Sequence, residues 1–394
     1  MLVAAGDPVP VPGRYDITYP FRAHSEYVWL TDRNRPGGVL AFDPAEGWVE
    51  FVAPVTREEL LWTGVEGMEE GVPAGTRPRD ELAAWLRERR CAVLGSPLPE
   101  IASEPIDELR ESLTAVRRVK DEVELGRMRL AARATVAGHR VFASLVAAGR
   151  TERELQVELE AEFFRNGADA LAYDSIVAGG PHSAVLHFAP TSRPLADGEL
   201  VLVDAGGEYR GYASDITRTY PVSGTFSAEQ QALHDTVRRA LAVAIDACKP
   251  GVEWRDVHRA AALVIAEGLV DAGVLRGDPE SLFEQGAVTL FFPHGVGHMV
   301  GLGVRDAGGA LRDRQPHGPG FPSVRVDVPL EAGYAMTVEP GLYFVPPLLA
   351  DRPHADAVRW ERVEQLLDFG GIRLEENVVV TPDGCDVLTD QLAL

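Results

Sequence analysis

The sequence predicts an α+β protein of two domains, a smaller N-terminal unit followed by a larger C-terminal unit. Its 394 residues exceed what one hydrophobic core usually supports, and 45% of them are apolar, enough for a sizeable interior. In the second half of the chain, helical patterns are separated by strand-like runs rich in β-branched and aromatic residues. Such runs, joined through turn residues, favour helices packed on a largely antiparallel sheet.

The N-terminal unit is predicted to be a small mixed α/β domain that covers residues 1–113. Short strands are expected at EYVWL, VLAFD and WVEFVA, because turn-forming residues separate these apolar segments. A helical pattern runs from Asp80 to Arg90, and the apolar segment CAVLG follows it as a further strand. The domain is expected to end near Leu113.

A helical connection over residues 114–148 is predicted to lead into the larger domain, residues 149–394. The stretch from Val116 to Ala148 contains no proline and is rich in Ala, Leu, Arg and Glu, which favour helix. We therefore expect one or two helices at this boundary.

Helices and strand-like runs alternate in the larger domain. Two capping boxes, Thr151 with Glu154 and Ser227 with Gln230, predict the starts of two helices, and a third helix is expected over 254–272. The runs ELVLVDAG, YASDITRTYPV, AMTVEPGLYF and IRLEENVVVT are predicted to be strands. This order of elements gives the α+β class for the larger domain.

The charge balance argues against nucleic acid as a partner. The 60 acidic and 38 basic residues give a formal net charge of −22, which repels a phosphate backbone. Neither a basic segment followed by an apolar run at the start nor a membrane-length apolar run occurs, so we expect no export signal and no membrane partner. Three widely separated cysteines, Cys91, Cys248 and Cys385, suit a reducing compartment, and we expect a cytoplasmic protein.

Two aspartates lie where strands usually avoid them. Asp204 ends the apolar run LVLVD, and Asp215 follows eleven positions later, with three intervening glycines that allow a hairpin. Either aspartate alone could be a turn residue that accepts a hydrogen bond from the local backbone. Together, flanked by LVLV and ITRTY, they indicate buried carboxylates that need a cation or a hydrogen-bond network.

Two histidines and two further glutamates have a similar placement. His294 and His298 lie four positions apart in the glycine-rich segment FFPHGVGHMVGLG, although a hydrogen-bonded structural histidine is an alternative for each. Glu339 in TVEPGLY and Glu375 in IRLEEN are acids within strand-like apolar sequence. Glu376 should point to the opposite face of its strand from Glu375, so only one of the two can face the site.

These residue types predict a site for two divalent metal ions. Two aspartates, two glutamates and one histidine supply more negative charge than one divalent ion needs, and two ions could share bridging carboxylates and one water. The ions would lower the pKa of that water enough to make it a nucleophile. Ligands that are mostly carboxylate oxygens favour manganese, with cobalt or zinc as alternatives because of the imidazole.

The motifs, in this order, resemble the pita-bread metallopeptidases, a family that includes prolidase, aminopeptidase P and methionine aminopeptidase. The resemblance starts at VKDEVELGRMRLAA and continues through SIVAGG, VLHF, LVLVDAGGEYRGYASDITRTYPV, PHGVGHMVGLGV, TVEPGLYF and GGIRLEENVVVT. It implies a pita-bread fold for the C-terminal domain and a creatinase-like N-terminal domain. It also implies that Asp215 and Glu375 bridge the ions, Asp204 holds one, and His298 and Glu339 hold the other. Glu339 would in addition be the general base.

The same resemblance implies roles for residues around the metal site. His187 in VLHF and His294 match positions that line the substrate cleft, and His294 is also expected to take part in catalysis. Arg325 matches an arginine that in prolidases holds the C-terminal carboxylate of the dipeptide, and a solvated surface arginine is the alternative. Arg373, two residues before Glu375, is expected to orient a carboxylate ligand without binding metal itself.

The chain departs from the family pattern beside the cleft. Arg305 stands where the family has a histidine that contacts the substrate carbonyl or the tetrahedral intermediate, and Phe188 stands where tyrosine usually follows His187. We expect Arg305 to act in catalysis and in substrate binding, because arginine can stabilise negative charge but cannot relay a proton near neutral pH. These changes are expected to alter substrate preference and turnover more than metal binding.

The resemblance favours a prolidase, which cleaves Xaa-Pro dipeptides. The insertion FVPPLLADRPHADAVRWERVEQLLDFG between Glu339 and Glu375 is more similar to prolidases than to aminopeptidase P, and YPFRAHSEYVWLT adds a weaker likeness. The alternative is aminopeptidase P, which acts on longer peptides with proline in second position. A creatine-type hydrolase would not need all five ligands, and the complete ligand set disfavours a protein that uses the fold only to bind partners. A homodimer is expected from the resemblance alone.

Overall fold

The computed structural model describes residues 1–14, 17–64, 69–87, 89–311, 314–322, 324–389 and 392. The chain divides into two units, Met1–Thr114 and Ala115–Leu394. No helix within the described residues is long and apolar enough to cross a membrane.

The described part of the first unit contains a mixed sheet and short helices. Its strands are β1 (Leu2–Ala4), β2 (Val39–Asp43), β3 (Gly47–Val52), β4 (Arg77–Pro78) and β5 (Val93–Gly95). Its helices are α1 (Ser25–Thr31), α2 (Arg57–Trp62) and α3 (Leu82–Trp85). The strands lie in the order β4-β3-β2-β1-β5, in which β1 pairs with β5, and β3 with β4, in parallel.

The segment EYVWL forms helix α1, so the prediction of a strand there is wrong. The side chain of His24 accepts a hydrogen bond from the Glu26 backbone N–H at the helix start, and Tyr27 is fully buried. β-propensity depends on packing context, and here a local cap and a buried helical face outweigh it.

The helix predicted from Asp80 to Arg90 is much shorter in the structure. A 3₁₀ turn over Arg79–Glu81 leads into α3, which ends at Trp85. Glu88, inside the predicted helix, lies outside the described residues.

Four long helices dominate the second unit: α5 (Glu122–Leu145), α6 (Glu152–Arg165), α7 (Ala228–Ala247) and α8 (Trp254–Asp271). The preceding helix, α4 (Asp107–Arg118), begins in the first unit and ends in the second. Shorter helices of the second unit are α9 (Pro279–Glu284), α10 (Pro346–Leu349) and α11 (Trp360–Glu364). The two predicted capping boxes are confirmed at the starts of α6 and α7, where each pair of side chains satisfies the other residue's backbone N–H.

The strands of the second unit form several small sheets: β6 (Ala170–Leu171), β7 (Ile176–Gly179), β8 (Leu200–Ala205), β9 (Gly207–Tyr209), β10 (Tyr212–Ala213), β11 (Ile216–Pro221), β12 (Gly309–Ala310), β13 (Val326–Asp327), β14 (Ala335–Val338), β15 (Gly341–Tyr343), β16 (Gly371–Arg373), β17 (Glu376–Val380) and β18 (Cys385–Val387). The orders are β11-β8-β7, β14-β17-β18, β10-β9-β6 and the pairs β15-β16 and β12-β13. Every pairing named here is antiparallel except β12 with β13, which confirms the α+β prediction.

Candidate active site

Strand pairing brings three of the predicted acids to one place. β8 pairs with β11 so that Asp204 lies opposite Thr217, and Asp215 lies one residue before β11. The backbone N–H of Glu375 donates to the Thr217 carbonyl at a distance of 3.0 Å, which places Glu375 beside β11. Asn377 then fixes the Asp215 backbone, because its side chain accepts from Asp215 N at 2.9 Å and donates to Asp215 O at 2.7 Å.

The other two predicted ligands come from segments that run side by side. The Glu339 backbone N–H donates to Val296 O at 2.7 Å, and His298 N–H donates to the Thr337 hydroxyl at 3.0 Å. Gly297 permits this approach, because a Cβ at that position would lie 2.0 Å from the Thr337 carbonyl oxygen. The glycine at position 297 thus has a direct steric cause.

The five predicted ligands lie close together, and three of them form a tight group. One donor atom each from Asp215, His298 and Glu375 lie within 4.8 Å of one another. His298 Nε2 is 3.5 Å from Asp215 Oδ2 and 3.8 Å from Glu339 Oε1. His298 Nδ1 contacts the Met299 carbonyl at 3.1 Å, so donation from Nδ1 would leave Nε2 as a lone-pair donor toward the acids.

Tyr173 links Asp204 to this group, and nothing in the sequence pattern identified it. Its hydroxyl lies 2.6 Å from Asp204 Oδ1 and also contacts Asp215 Oδ1. Arg373 reaches the other oxygen of Asp204, with Nη2 donating to Oδ2 at a distance of 2.5 Å. The two aspartates that are eleven residues apart in the sequence therefore share one phenol, and an arginine holds the first of them.

Burial and mutual repulsion raise the pKa of three carboxyl groups in this cluster. Burial raises the pKa of Glu375 well above its ordinary value, and Asp215 and Glu339 raise it further. Burial likewise raises the pKa of Glu339 to about 7, and it raises the pKa of Asp204. A divalent cation among these oxygens would offset the mutual repulsion and favour the ionised forms.

One buried oxygen in the cluster points to a cation more directly. Glu375 Oε2 accepts a hydrogen bond from the Thr217 hydroxyl at 2.7 Å, whereas Oε1 has no hydrogen-bond partner in the described part of the protein. Glu375 is only 1% exposed, and an unsatisfied buried carboxylate oxygen is costly. The donor set, four carboxylates and one imidazole, therefore fits a pair of hard or borderline divalent ions.

His294 is placed at the site, but both of its ring nitrogens contact the protein. Nδ1 is 2.9 Å from the Gly295 carbonyl and Nε2 is 2.9 Å from the Tyr343 hydroxyl, whose oxygen accepts from Arg373 Nη1 at 2.8 Å. Burial, and then Arg373, lower the pKa of His294 to about 3, so its ring is neutral. A contact between His294 and substrate would require one of these two bonds to be exchanged.

The acids lie in an open pocket of about 790 Å³. His187, Arg305 and Arg325 line it together with the predicted ligands, so the structure brings all of these residues to one cavity. The segments of the two arginines are joined, because Gly309 N–H donates to Arg325 O at 3.2 Å. Burial and the nearby Arg305 lower the pKa of Arg325. Among the described residues, neither guanidinium has an ion pair or hydrogen bond.

Comparison with known proteins identifies the family. The model of metallopeptidase family M24 matches residues 126–382. A probable Xaa-Pro aminopeptidase from Botryotinia fuckeliana is 34% identical over 398 residues, covering 95% of this chain and 86% of the relative. Another from Podospora anserina is 35% identical over 366 residues, covering 86% of this chain and 78% of the relative.

Solved structures give the same result. The Pseudomonas aeruginosa aminopeptidase PepP has a TM-score of 0.81 and 31% identity, covering 99% of this chain and 90% of its own. Zinc-substituted Escherichia coli aminopeptidase P in complex with product has a TM-score of 0.83 and 28% identity, covering 100% of this chain and 91% of its own. These neighbours confirm the predicted pita-bread fold.

The prediction of a prolidase that cleaves dipeptides is wrong, because the named relatives and structural neighbours are Xaa-Pro aminopeptidases. The insertion that suggested prolidase contains α10, α11 and the segment between them, and its residues Leu349, Val358 and Val363 are buried in the core shared with α7 and α8. No residue of this insertion is among those lining the pocket. The chain belongs to metallopeptidase family M24.

Proposed function

We propose that this chain is a metal-dependent Xaa-Pro aminopeptidase, which removes the N-terminal residue from peptides of three or more residues with proline in second position. The observation that carries the proposal is the grouping of Asp215, His298 and Glu375 donor atoms within 4.8 Å of one another, in a pocket open to peptides. The relatives named Xaa-Pro aminopeptidases support the substrate class.

Five side chains would hold two divalent ions in this proposal: Asp204, Asp215, His298, Glu339 and Glu375. Bound there, the ions would polarise the scissile carbonyl and lower the pKa of the attacking water. The predominance of carboxylate oxygen supports manganese, with cobalt or zinc as alternatives. A cytoplasmic location and a homodimer stay predictions from the sequence.

Glu339 is the proposed general base. Its side chain is 19% exposed, compared with 12% for Asp204 and 7% for Asp215, so it is the most accessible of these three acids. Its carboxylate would accept a proton from the attacking water and return it to the proline nitrogen as the peptide bond breaks. Arg373 keeps Asp204 in place during this transfer, since it remains charged and already donates to that carboxylate.

A peptide series tests the proposed function. Metal-loaded protein is incubated with an Xaa-Pro dipeptide, an Xaa-Pro-Xaa tripeptide, longer Xaa-Pro peptides and Xaa-Ala controls of matched length, and products are identified by mass spectrometry. We expect release of one N-terminal residue from the tripeptide and longer proline peptides, none from the alanine controls, and loss of activity with a chelator. Cleavage confined to the dipeptide, or equal cleavage of the alanine peptides, would reject the proposal.

Arg305 and Arg325 are proposed to bind a carboxylate on the leaving part of the peptide. Two cations without a carboxylate partner among the described residues face one cavity, and a guanidinium offers paired donors to such a group. Both arginines are solvent-exposed, so screening by water reduces the binding free energy that they gain from a substrate carboxylate.

Arg305→Ala is expected to raise the KM for an Xaa-Pro-Xaa tripeptide by roughly tenfold, a change of about 1.4 kcal/mol. The KM for the C-terminal amide of the same tripeptide should change little, because the amide carries no negative charge. Steady-state kinetics on both substrates provide the measurement, with Arg238→Ala, an exposed α7 arginine paired with Asp235, as the control. An equal loss for acid and amide would assign Arg305 to the reacting carbonyl instead.

A further inference from the structure

A single buried carboxylate holds both ends of the loop that forms one wall of the pocket. Glu152, the first residue of α6, is 0% exposed. Its Oε1 accepts from Gly179 N at 3.0 Å and lies 2.7 Å from His182 Nδ1. Its Oε2 accepts from the Thr191 backbone N–H at 3.0 Å and from the Thr191 hydroxyl at 2.6 Å. We call the residues between these attachment points, 183–190, the wall loop.

The wall loop carries His187 into the pocket. All residues from Leu186 to Pro190 line the cavity that contains the proposed metal ligands. The ring of Phe188 stacks on His182, with centroids 4.1 Å apart and planes at 27°. Arg153, next to Glu152, donates from Nη2 to the Pro190 carbonyl at 2.7 Å. Residues at the start of α6 therefore hold both ends of the loop, and Phe188 packs on His182, which itself contacts Glu152.

Glu152 is not required to cap its helix. The Thr151 and Glu154 side chains already satisfy each other's backbone N–H at the start of α6. Burial by itself would raise the pKa of Glu152, but the hydrogen bonds from Thr191, Gly179 and His182 outweigh it and hold the pKa below its ordinary value. An ionised, fully buried carboxylate that accepts from three separate positions is suited to restraining the chain segment between them.

We propose that Glu152 is a positioning residue, which sets the location of His187 in the peptide cleft by holding both ends of the wall loop. Only the expected effect on peptide hydrolysis rests on the proposed peptidase function; the restraint of the wall loop by Glu152 does not. His187 is the residue through which the effect should reach the substrate, because it lies inside the restrained segment and faces the pocket.

A double-mutant cycle tests whether Glu152 acts through His187. Glu152→Gln replaces one acceptor oxygen by an NH₂ group, so at least one of the four contacts must be lost. We expect kcat/KM for an Xaa-Pro-Xaa tripeptide to fall by about 10- to 100-fold, mainly through KM, as expected for displacement of a substrate-contacting group by about 1 Å. In a His187→Ala background the same change should cost less than about threefold, because the group that it displaces is gone.

Glu154→Gln is the matched control, since it makes the same chemical change two residues along the same helix and glutamine still completes a capping box. It should leave kcat/KM and metal content at the wild-type level. If Glu152→Gln folds poorly, Thr191→Val removes one donor while keeping side-chain shape, and a smaller loss of the same kind is expected. If Glu152→Gln lowered kcat/KM by the same factor in the His187→Ala background as in the wild type, the proposal would be overturned.

Hydrogen exchange gives a readout that does not depend on peptidase activity. In Glu152→Gln the amide that loses its acceptor, that of Gly179 or that of Thr191, should exchange at least about tenfold faster, since each donates to Glu152 in the wild type, whereas Glu154→Gln should leave both unchanged. If the wild-type protein did not cleave Xaa-Pro peptides, the proposed function would be rejected. The hydrogen-exchange comparison would still test whether Glu152 restrains the wall loop. Unchanged exchange at both amides would overturn the restraint itself.

Discussion

Glu339→Gln is expected to lower kcat for an Xaa-Pro-Xaa tripeptide by about two to four orders of magnitude, the usual contribution of a positioned base. Glutamine matches the shape of glutamate and keeps an oxygen for metal, but it cannot accept a proton. The backbone at this position is held by the 2.7 Å bond from Glu339 N–H to Val296 O, which the substitution does not touch. Steady-state kinetics and metal analysis on the same preparation would separate loss of the base from loss of the ions.

Glu331→Gln is a suitable control for this experiment, because Glu331 is an exposed acid just ahead of β14 and outside the pocket. It should retain wild-type kcat. If Glu339→Gln kept wild-type kcat with full metal content, the proton would have to be taken by another group in the pocket.

Asp215→Ala is expected to empty at least one metal position and to abolish nearly all peptidase activity. Asp215 is the acid closest to His298 Nε2, at 3.5 Å, and it shares the Tyr173 hydroxyl with Asp204. Its backbone is held by Asn377, so the local strand should survive the loss of the side chain. Removing one of four mutually repelling carboxyl groups should not lower the stability of the metal-free protein.

Elemental analysis of dialysed protein and thermal unfolding without metal measure the two parts of this prediction. Asp174→Ala is the matched control, since Asp174 is an exposed acid that lines the same pocket outside the group of three. It should bind as much metal as the wild type. Wild-type metal content in Asp215→Ala would remove Asp215 from the proposed ligand set.

Local signals in the sequence predicted some elements well and others poorly, for physical reasons. Capping boxes located the starts of α6 and α7, because that motif is satisfied by residues three positions apart. The segment EYVWL was mistaken for a strand, because β-propensity does not register the His24 cap or the burial of Tyr27 that make it a helix.

The candidate site, too, could be predicted only in part from the sequence. Buried acids in strand-like sequence led to the proposed metal ligands, since an uncompensated carboxylate is costly wherever the strand packs. The partners that hold those acids, Tyr173, Thr217 and Asn377, were not identified, because burial of a tyrosine, threonine or asparagine carries no comparable cost. The insertion misled the choice of substrate, because its length is visible in sequence whereas its burial in the core is visible only in the fold.

Our proposed function requires the acidic cluster to bind two metal ions that drive cleavage before proline. Titration of chelator-treated protein with Mn²⁺, followed by tripeptide hydrolysis and direct measurement of bound metal, tests it most directly. We expect no turnover without metal, a rise in activity as ions bind, and a plateau when two ions are bound per chain. Full activity in metal-free protein, or a plateau with no more than one ion bound per chain, would contradict the account.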